Sequence, residues 1–148
     1  MRCAIGADDT GPLVDALLDE LARREIAVER FGAIARPGDH AWASIGRAVG
    51  AVVAGGAAEF GIVCCWTGTG ITIAANKIAG VRAALCGDAA TAAGARRWND
   101  ANVLGMSLRA TSPAIGLEIL GAFLDASADP AAREHIAAIE SPPQSEVV

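Results

Sequence analysis

Five short apolar runs, near residues 2–6, 27–31, 60–65, 81–86 and 102–106, alternate with longer segments whose apolar residues recur every three or four positions. The runs are built from Ala, Val, Ile, Leu and Cys and read as strands buried on both faces. Strands separated by helices cannot close hairpins. They pair in parallel through crossovers of fixed right hand, with helices covering both sides of the sheet. The order therefore predicts an α/β fold. A chain of 148 residues supports one such domain with a single well-formed core, spanning residues 1–140. The last eight residues, opening Ser141-Pro142-Pro143-Gln144-Ser145, have the composition of a disordered tail.

Local signals place the element ends. The first run leads into Ala7-Asp8-Asp9-Thr10-Gly11-Pro12, where Thr10 is the expected helix N-cap and Pro12 lies near the first helical position. Leu13, Leu17, Leu18 and Leu21 carry that helix through Arg24. Arg36-Pro37-Gly38-Asp39 is a loop, followed by an alanine-rich helix over 41–54 that Gly55-Gly56 ends. A helix after the third strand runs to Lys77, and Asp88 caps one reaching Trp98. Ser112-Pro113 opens a helix to about residue 126, and Asp129-Pro130 opens the last, to Glu140.

Bulk composition excludes several classes. A net charge of −5 argues against nonspecific nucleic-acid binding, and it means that an anionic ligand must be held by local groups. No apolar run approaches the roughly 18–20 residues needed to span a bilayer. The N-terminal residues read as a strand rather than a cleavable leader, so the expectation is a soluble cytoplasmic protein without membrane contact. Cys3, Cys64, Cys65 and Cys86 form no C-x-x-C pair, and His40 and His135 add no zinc set to them. No metal, cofactor or disulfide is expected.

The stretch from Cys64 to Lys77, Cys-Cys-Trp-Thr-Gly-Thr-Gly-Ile-Thr-Ile-Ala-Ala-Asn-Lys, is the densest in chemistry. An apolar strand breaks into Thr/Gly alternation, then apolar residues resume at helical spacing. A helix start leaves backbone N–H groups open and carries partial positive charge, so such a loop can hold an anion. A cysteine at the strand's end sits where a thiolate is favoured. Together they point to proton transfer beside a carbonyl. In parallel sheets ligands bind beyond the carboxyl ends of the strands, where Asp8, Cys65, Gly87-Asp88 and Ser107 to Arg109 all fall. Each feature also has a plain structural reading: a strand-end cysteine as packing, a Gly/Thr loop as a turn, Asp8 as a helix cap. Strand alternation turns Cys64 to the opposite face, into the core.

These residues resemble the signature of the type B ribose-5-phosphate isomerases and their relatives, the galactose-6-phosphate isomerase subunits. The likeness rests on Gly61 to Cys65 followed by Thr67 to Lys77. Gly6-Ala7-Asp8, Gly80-Val81-Arg82-Ala83, Asn99-Asp100-Ala101-Asn102-Val103-Leu104 and Arg109 fit in the same order, from about residue 2 to 140. The resemblance implies a Rossmann-like three-layer sandwich around a five-stranded parallel sheet. It also implies a homodimer, with a dimer of dimers left open, whose sites combine residues of both subunits. The implied reaction interconverts an aldose and a ketose through a cis-enediolate without a cofactor. Cys65 matches the catalytic base, and the backbone N–H groups of the Gly68–Thr72 loop would stabilise the developing oxyanion. Asp8 matches a contact to substrate hydroxyls, Asn99 a residue that orients them, and Arg109 and Arg133 the phosphate-binding arginines. The candidate catalytic residues are thus Cys65, Thr67 and Asp8. The candidate substrate-binding residues are Asp9, Trp66, Gly68, Thr69, Gly70, Thr72, Trp98, Asn99, Arg109 and Arg133.

The departures from the pattern cluster at the site. Asp8-Asp9 stands where relatives often have Asp-His, placing a carboxylate near the expected phosphate end. Trp98-Asn99-Asp100 stands where His-Asn-Asp is common, and that histidine is the residue assigned to opening a cyclic sugar. An indole cannot donate and recover a proton at neutral pH. Trp66 replaces a usual glycine, and Arg133 is followed one turn later by Ala137 rather than a second arginine. A substrate that is already open-chain suffers least from these losses, and a tetrose phosphorylated on its terminal hydroxyl cannot form a stable ring. The expectation is an isomerase for a short-chain or atypical sugar phosphate rather than ribose 5-phosphate. The alternatives are a diverged enzyme for an unphosphorylated sugar and a non-catalytic sugar-phosphate-binding subunit.

Overall fold

Parallel strands alternate with helices throughout the computed structural model, which describes residues 1–140; the tail read as disordered lies outside them. In chain order the elements are β1 (Arg2–Ala7), α1 (Pro12–Arg23), β2 (Ala27–Gly32), α2 (Trp42–Ala54), β3 (Phe60–Cys65) and α3 (Thr69–Ala75). They continue with β4 (Ala83–Leu85), α4 (Ala89–Asn99), β5 (Val103–Ser107), α5 (Pro113–Asp125), a 3-10 turn (Pro130–Ala132) and α6 (Arg133–Glu140). The sheet is five-stranded and parallel, in the order β2-β1-β3-β5-β4. The Rossmann-like α/β sandwich is therefore the fold.

Alternation along each strand divides the core. Ile5, Ile62, Cys64, Leu104 and Met106 pack with α1, α4 and α5 on one face, around Leu17, Leu21, Ile119 and Phe123. Ala4, Val63, Cys65 and Val103 pack with Ile45, Val49 and Ile71 of α2 and α3 on the other. Cys64 and Cys65 thus face opposite layers, as strand alternation requires. All six residues of β3 are buried, because this central strand is covered on both faces. Each fully buried Ile or Leu side chain contributes about 1.5–3 kcal/mol in apolar area removed from water.

Three element ends differ from their expected positions. Thr10 is not the N-cap of α1. Gly11 is, with no side-chain cap, because the chain turns at Gly11 with φ +155°, a backbone state open to glycine alone. The Thr10 N–H is taken instead by Asp9 Oδ1 at 2.8 Å. β4 is shorter than its apolar run: the Arg82 N–H goes to Asn102 Oδ1 at 2.8 Å rather than into a strand ladder. Helix α3 stops at Ala75 rather than Lys77. The next residue, Asn76, turns its amide to β4, accepting from the Ala83 N–H (2.7 Å) and donating to its carbonyl (2.8 Å). Asp88 and Ser112 cap α4 and α5 as expected, through bonds to Thr91 N–H and Ile115 N–H.

Candidate active site

The central edge of the sheet carries the cysteine. Ala7 pairs with Cys64 and Cys65 with Ser107, so the ends of β1, β3 and β5 lie side by side. The Asp8 N–H donates to the Cys64 carbonyl (3.2 Å), which sets Asp8 beside Cys65. From the end of β5 and the residues after it, Leu108 N–H donates to the Cys65 carbonyl (2.9 Å), and Arg109 N–H and Ser107 Oγ both donate to the Trp66 carbonyl (3.1 and 2.9 Å). The peptide units on either side of the thiol are thereby fixed.

The loop that follows is built to stay open. Gly68 is buried at the N-cap of α3 with φ +76°, and a Cβ there would lie 2.8 Å from Met106 backbone atoms, so only glycine fits. Thr72 does not face outward. It is buried and donates its hydroxyl to the Gly68 carbonyl at 2.6 Å, locking the loop onto its helix. Thr67 and Thr69 hydroxyls bond each other at 2.7 Å. The N–H groups of Thr69, Gly70 and Ile71, the first three of α3, have no backbone acceptor among the described residues.

Burial separates the four thiols. Cys65 keeps 5% of its surface, against 0–1% for the others, placing it at the rim of the core. Burial pushes the Cys64 thiol up to about 12, with Cys65 and Asp8 adding to the effect, and pushes Cys86 up to about 11. It raises Cys3 further still. The thiolate form is disfavoured at all three. Asp8 is also perturbed: burial first, then the Asp9 charge, raise its carboxyl above the ordinary range, against its own N–H and His40. One of its carboxylate oxygens, Oδ1, is buried without a hydrogen-bond partner among the described residues. Such a group is costly to maintain and marks a place where a ligand donor would be welcome.

Not all of the candidate residues share this edge. Asp8, Asp9, Cys65, Trp66, Thr67, Gly68, Thr69, Gly70 and Arg109 do, and the Arg109 guanidinium lies over the exposed Trp66 ring, 5.9 Å from its centroid. Helix α4 runs back across the sheet and delivers Trp98 and Asn99 to the opposite edge, at the starts of the strands. There Arg82 and Asn102 are bonded to each other, and the Gly61 N–H donates to the Asn102 carbonyl. Arg133 lies at that edge too, since α6 is tied to it by the bond between Arg82 and Glu140 (2.8 Å). Five to six strand residues, on the order of 17–20 Å, separate the two groups. Trp98 is exposed and packs over Gly94, in a cleft shared with Asn99, Asp129 and His135, whereas Arg133 lines the neighbouring cleft beside Asp100. Asp100 serves the fold: it closes α4 in a left-handed conformation and pairs with Arg82 and Arg96, each at 3.2 Å.

Two residues at the cysteine edge escaped the reading from motifs. His40 Nδ1 lies 2.6 Å from the Asp8 carbonyl oxygen. The Trp42 ring covers Gly70, where a Cβ would come within 2.9 Å of it. Both follow β2, so the strand-end rule, applied to the loop after that strand, would have placed them here. Among the described residues no helix is long and apolar enough to cross a membrane.

Residues 3–140 match the family described as ribose/galactose isomerase. The chain is 33% identical over 127 residues to the D-erythrulose-4-phosphate isomerase of Pectobacterium atrosepticum, covering 85% of this chain and 84% of that protein. It is 34% identical over 126 residues to the ribose-5-P isomerase B of Listeria innocua, covering 84% of each. Among solved structures, the ribose-5-phosphate isomerase B of Clostridium thermocellum superposes with a TM-score of 0.88 at 33% identity, over 95% of both chains. A match over nearly the whole described chain, in sequence and in fold, leads to one conclusion: the chain belongs to the ribose/galactose isomerase family.

Proposed function

We propose that this isomerase interconverts an aldose and a ketose of a short sugar phosphate through a cis-enediolate. The observation that carries the reading is the juxtaposition of Cys65, the least buried of the four thiols, with a glycine-shaped loop whose N–H groups are left open. As thiolate, Cys65 removes the proton from the carbon beside the carbonyl and returns it to the neighbouring carbon. The N–H groups of Thr69 to Ile71 take the negative charge that gathers on oxygen, in a site already organised to receive it, whereas the Gly68 N–H is held by the Cys65 carbonyl. Thr67 and Thr72 hold the loop, and Asp8 contacts the substrate hydroxyls. Neither a metal nor an organic cofactor is required for these steps.

The site is completed by a second copy of the chain. Trp98, Asn99 and Arg133 lie a strand's length from Cys65 within one chain, so a partner supplies them. A homodimer with two such composite sites satisfies this geometry. Trp98 offers no proton for ring opening, and Trp66 with Arg109 adds bulk at the mouth of the site, both of which favour an acyclic substrate. The similarity to an erythrulose-4-phosphate isomerase supports the same choice. Turnover of erythrulose 4-phosphate and ribose 5-phosphate, compared as kcat/KM, tests the reading. A clear preference for the four-carbon substrate is expected, and a preference for ribose 5-phosphate would contradict it.

A further inference from the structure

Two adjacent carboxylates, Asp8 and Asp9, border the site proposed above, and an anionic substrate there needs a compensating positive charge. The structure brings a histidine to it from another loop. Asp39, His40, Ala41 and Trp42 connect β2 to α2, and His40 is fixed there by two contacts. Its backbone carbonyl accepts the Trp42 N–H (2.8 Å), and its ring meets the Asp8 carbonyl at 2.6 Å. A carbonyl oxygen only accepts, so Nδ1 carries the proton in that contact. The other ring nitrogen, Nε2, has no protein partner among the described residues, and the side chain is exposed. One ring nitrogen is thus spent on orientation and the other left for a ligand, as in sites where a second partner fixes a histidine's working face. Trp42, two residues on, packs against Gly70 of the donor loop. The same short segment therefore touches both walls of the site.

We propose that His40 is a substrate-binding residue of this site, and that its imidazolium, anchored on the Asp8 carbonyl, binds the phosphate group of the substrate through Nε2. The inference rests on the sugar-phosphate reading. It adds that the imidazole absent from position 9 is returned in space from the loop after β2. Trp42 is a positioning residue for the donor loop.

The test uses the full chain and the substitutions His40→Asn and His40→Ala. Asparagine keeps a donor for the Asp8 carbonyl but has no second nitrogen and no charge. The ratio of kcat/KM for erythrulose 4-phosphate to that for unphosphorylated erythrulose is expected to fall about tenfold or more in both variants, the size of one charge-assisted hydrogen bond, chiefly through KM. An unchanged ratio, or a ratio that His40→Asn restores to the wild-type value, would show that His40 only anchors Asp8 and would overturn the proposal. Binding is followed separately by proton NMR, which is simple to assign because the chain has two histidines. Titration with inorganic phosphate is expected to shift the signal that His40→Asn removes. A wild-type protein that turns over neither sugar yet shows that shift would defeat the isomerase reading and leave the His40 site standing. No shift would overturn the site itself.

Discussion

Asp8 is the residue where the proposed function and stability are most directly opposed. Its carboxyl is raised by burial and by Asp9, and its Oδ1 lacks a partner among the described residues. A carboxyl raised in the folded state favours folding only while protonated, so its contribution is lost as pH rises through and beyond the ordinary carboxylate range. Near neutral pH the ionised group therefore weakens the fold. Asp8→Asn is expected to raise the melting temperature by about 2 °C at neutral pH while lowering turnover, a modest gain because the group is partly solvated. Thermal melts at two pH values check the sign: the gain should vanish near about pH 3, where Asp8 is protonated in both states. Cys65 shows the complementary pattern. It ends a fully buried strand, yet three hydrogen bonds to the Cys65 and Trp66 carbonyls come from the last residue of β5 and the two that follow it, so the surrounding backbone holds its position. The cysteine and its loop were legible from the motif. His40 and Trp42 were not, because neither stands in a motif and their roles arise from a contact between loops distant in sequence.

At the scale of the element, the decisive unit is the turn from β3 into α3. Gly68 adopts φ +76°, and its Cα faces Leu85 and the Met106 backbone. Gly68→Ala would impose both a left-handed penalty and a backbone clash, and is expected to cost about 2–4 kcal/mol of stability. Urea unfolding measures that loss. Residual folded variant should exchange substrate hydrogen more slowly than wild type, because the clash displaces the donors of α3. Hydrophobic periodicity placed the strands and helices here because burial on both faces leaves few other arrangements for such runs. It misplaced the ends where a side chain replaces a backbone partner. Asn102 takes the Arg82 N–H, so the fourth run starts its ladder late, and Asn76 takes up β4 and ends α3 early. The segments Gly80 to Ala83 and Asn99 to Leu104 are tied together here: Asn102 bonds Gly80 and Arg82, and Arg82 bonds Asp100.

Across the whole molecule, the topology of the sheet separates the candidate residues into two groups. Loops after β1, β2, β3 and β5 gather at one edge with Cys65, while the end of α4 and the start of α6 carry Trp98, Asn99 and Arg133 to the other. Strand and helix order foretold the first gathering. The second was legible only through the resemblance, since residue spacing says nothing of a partner chain. The central claim, a thiol base in a site shared by two chains, is tested most directly by subunit complementation. Cys65→Ala and Asn99→Ala, each nearly inactive alone, would be refolded together from equal amounts and assayed for exchange of solvent deuterium into erythrulose 4-phosphate. Half of the resulting dimers are mixed, and each mixed dimer holds one intact site, so activity should recover to about a quarter of wild type. A mixture as inactive as its parents, or a Cys65→Ala protein that exchanges hydrogen unaided, would contradict it.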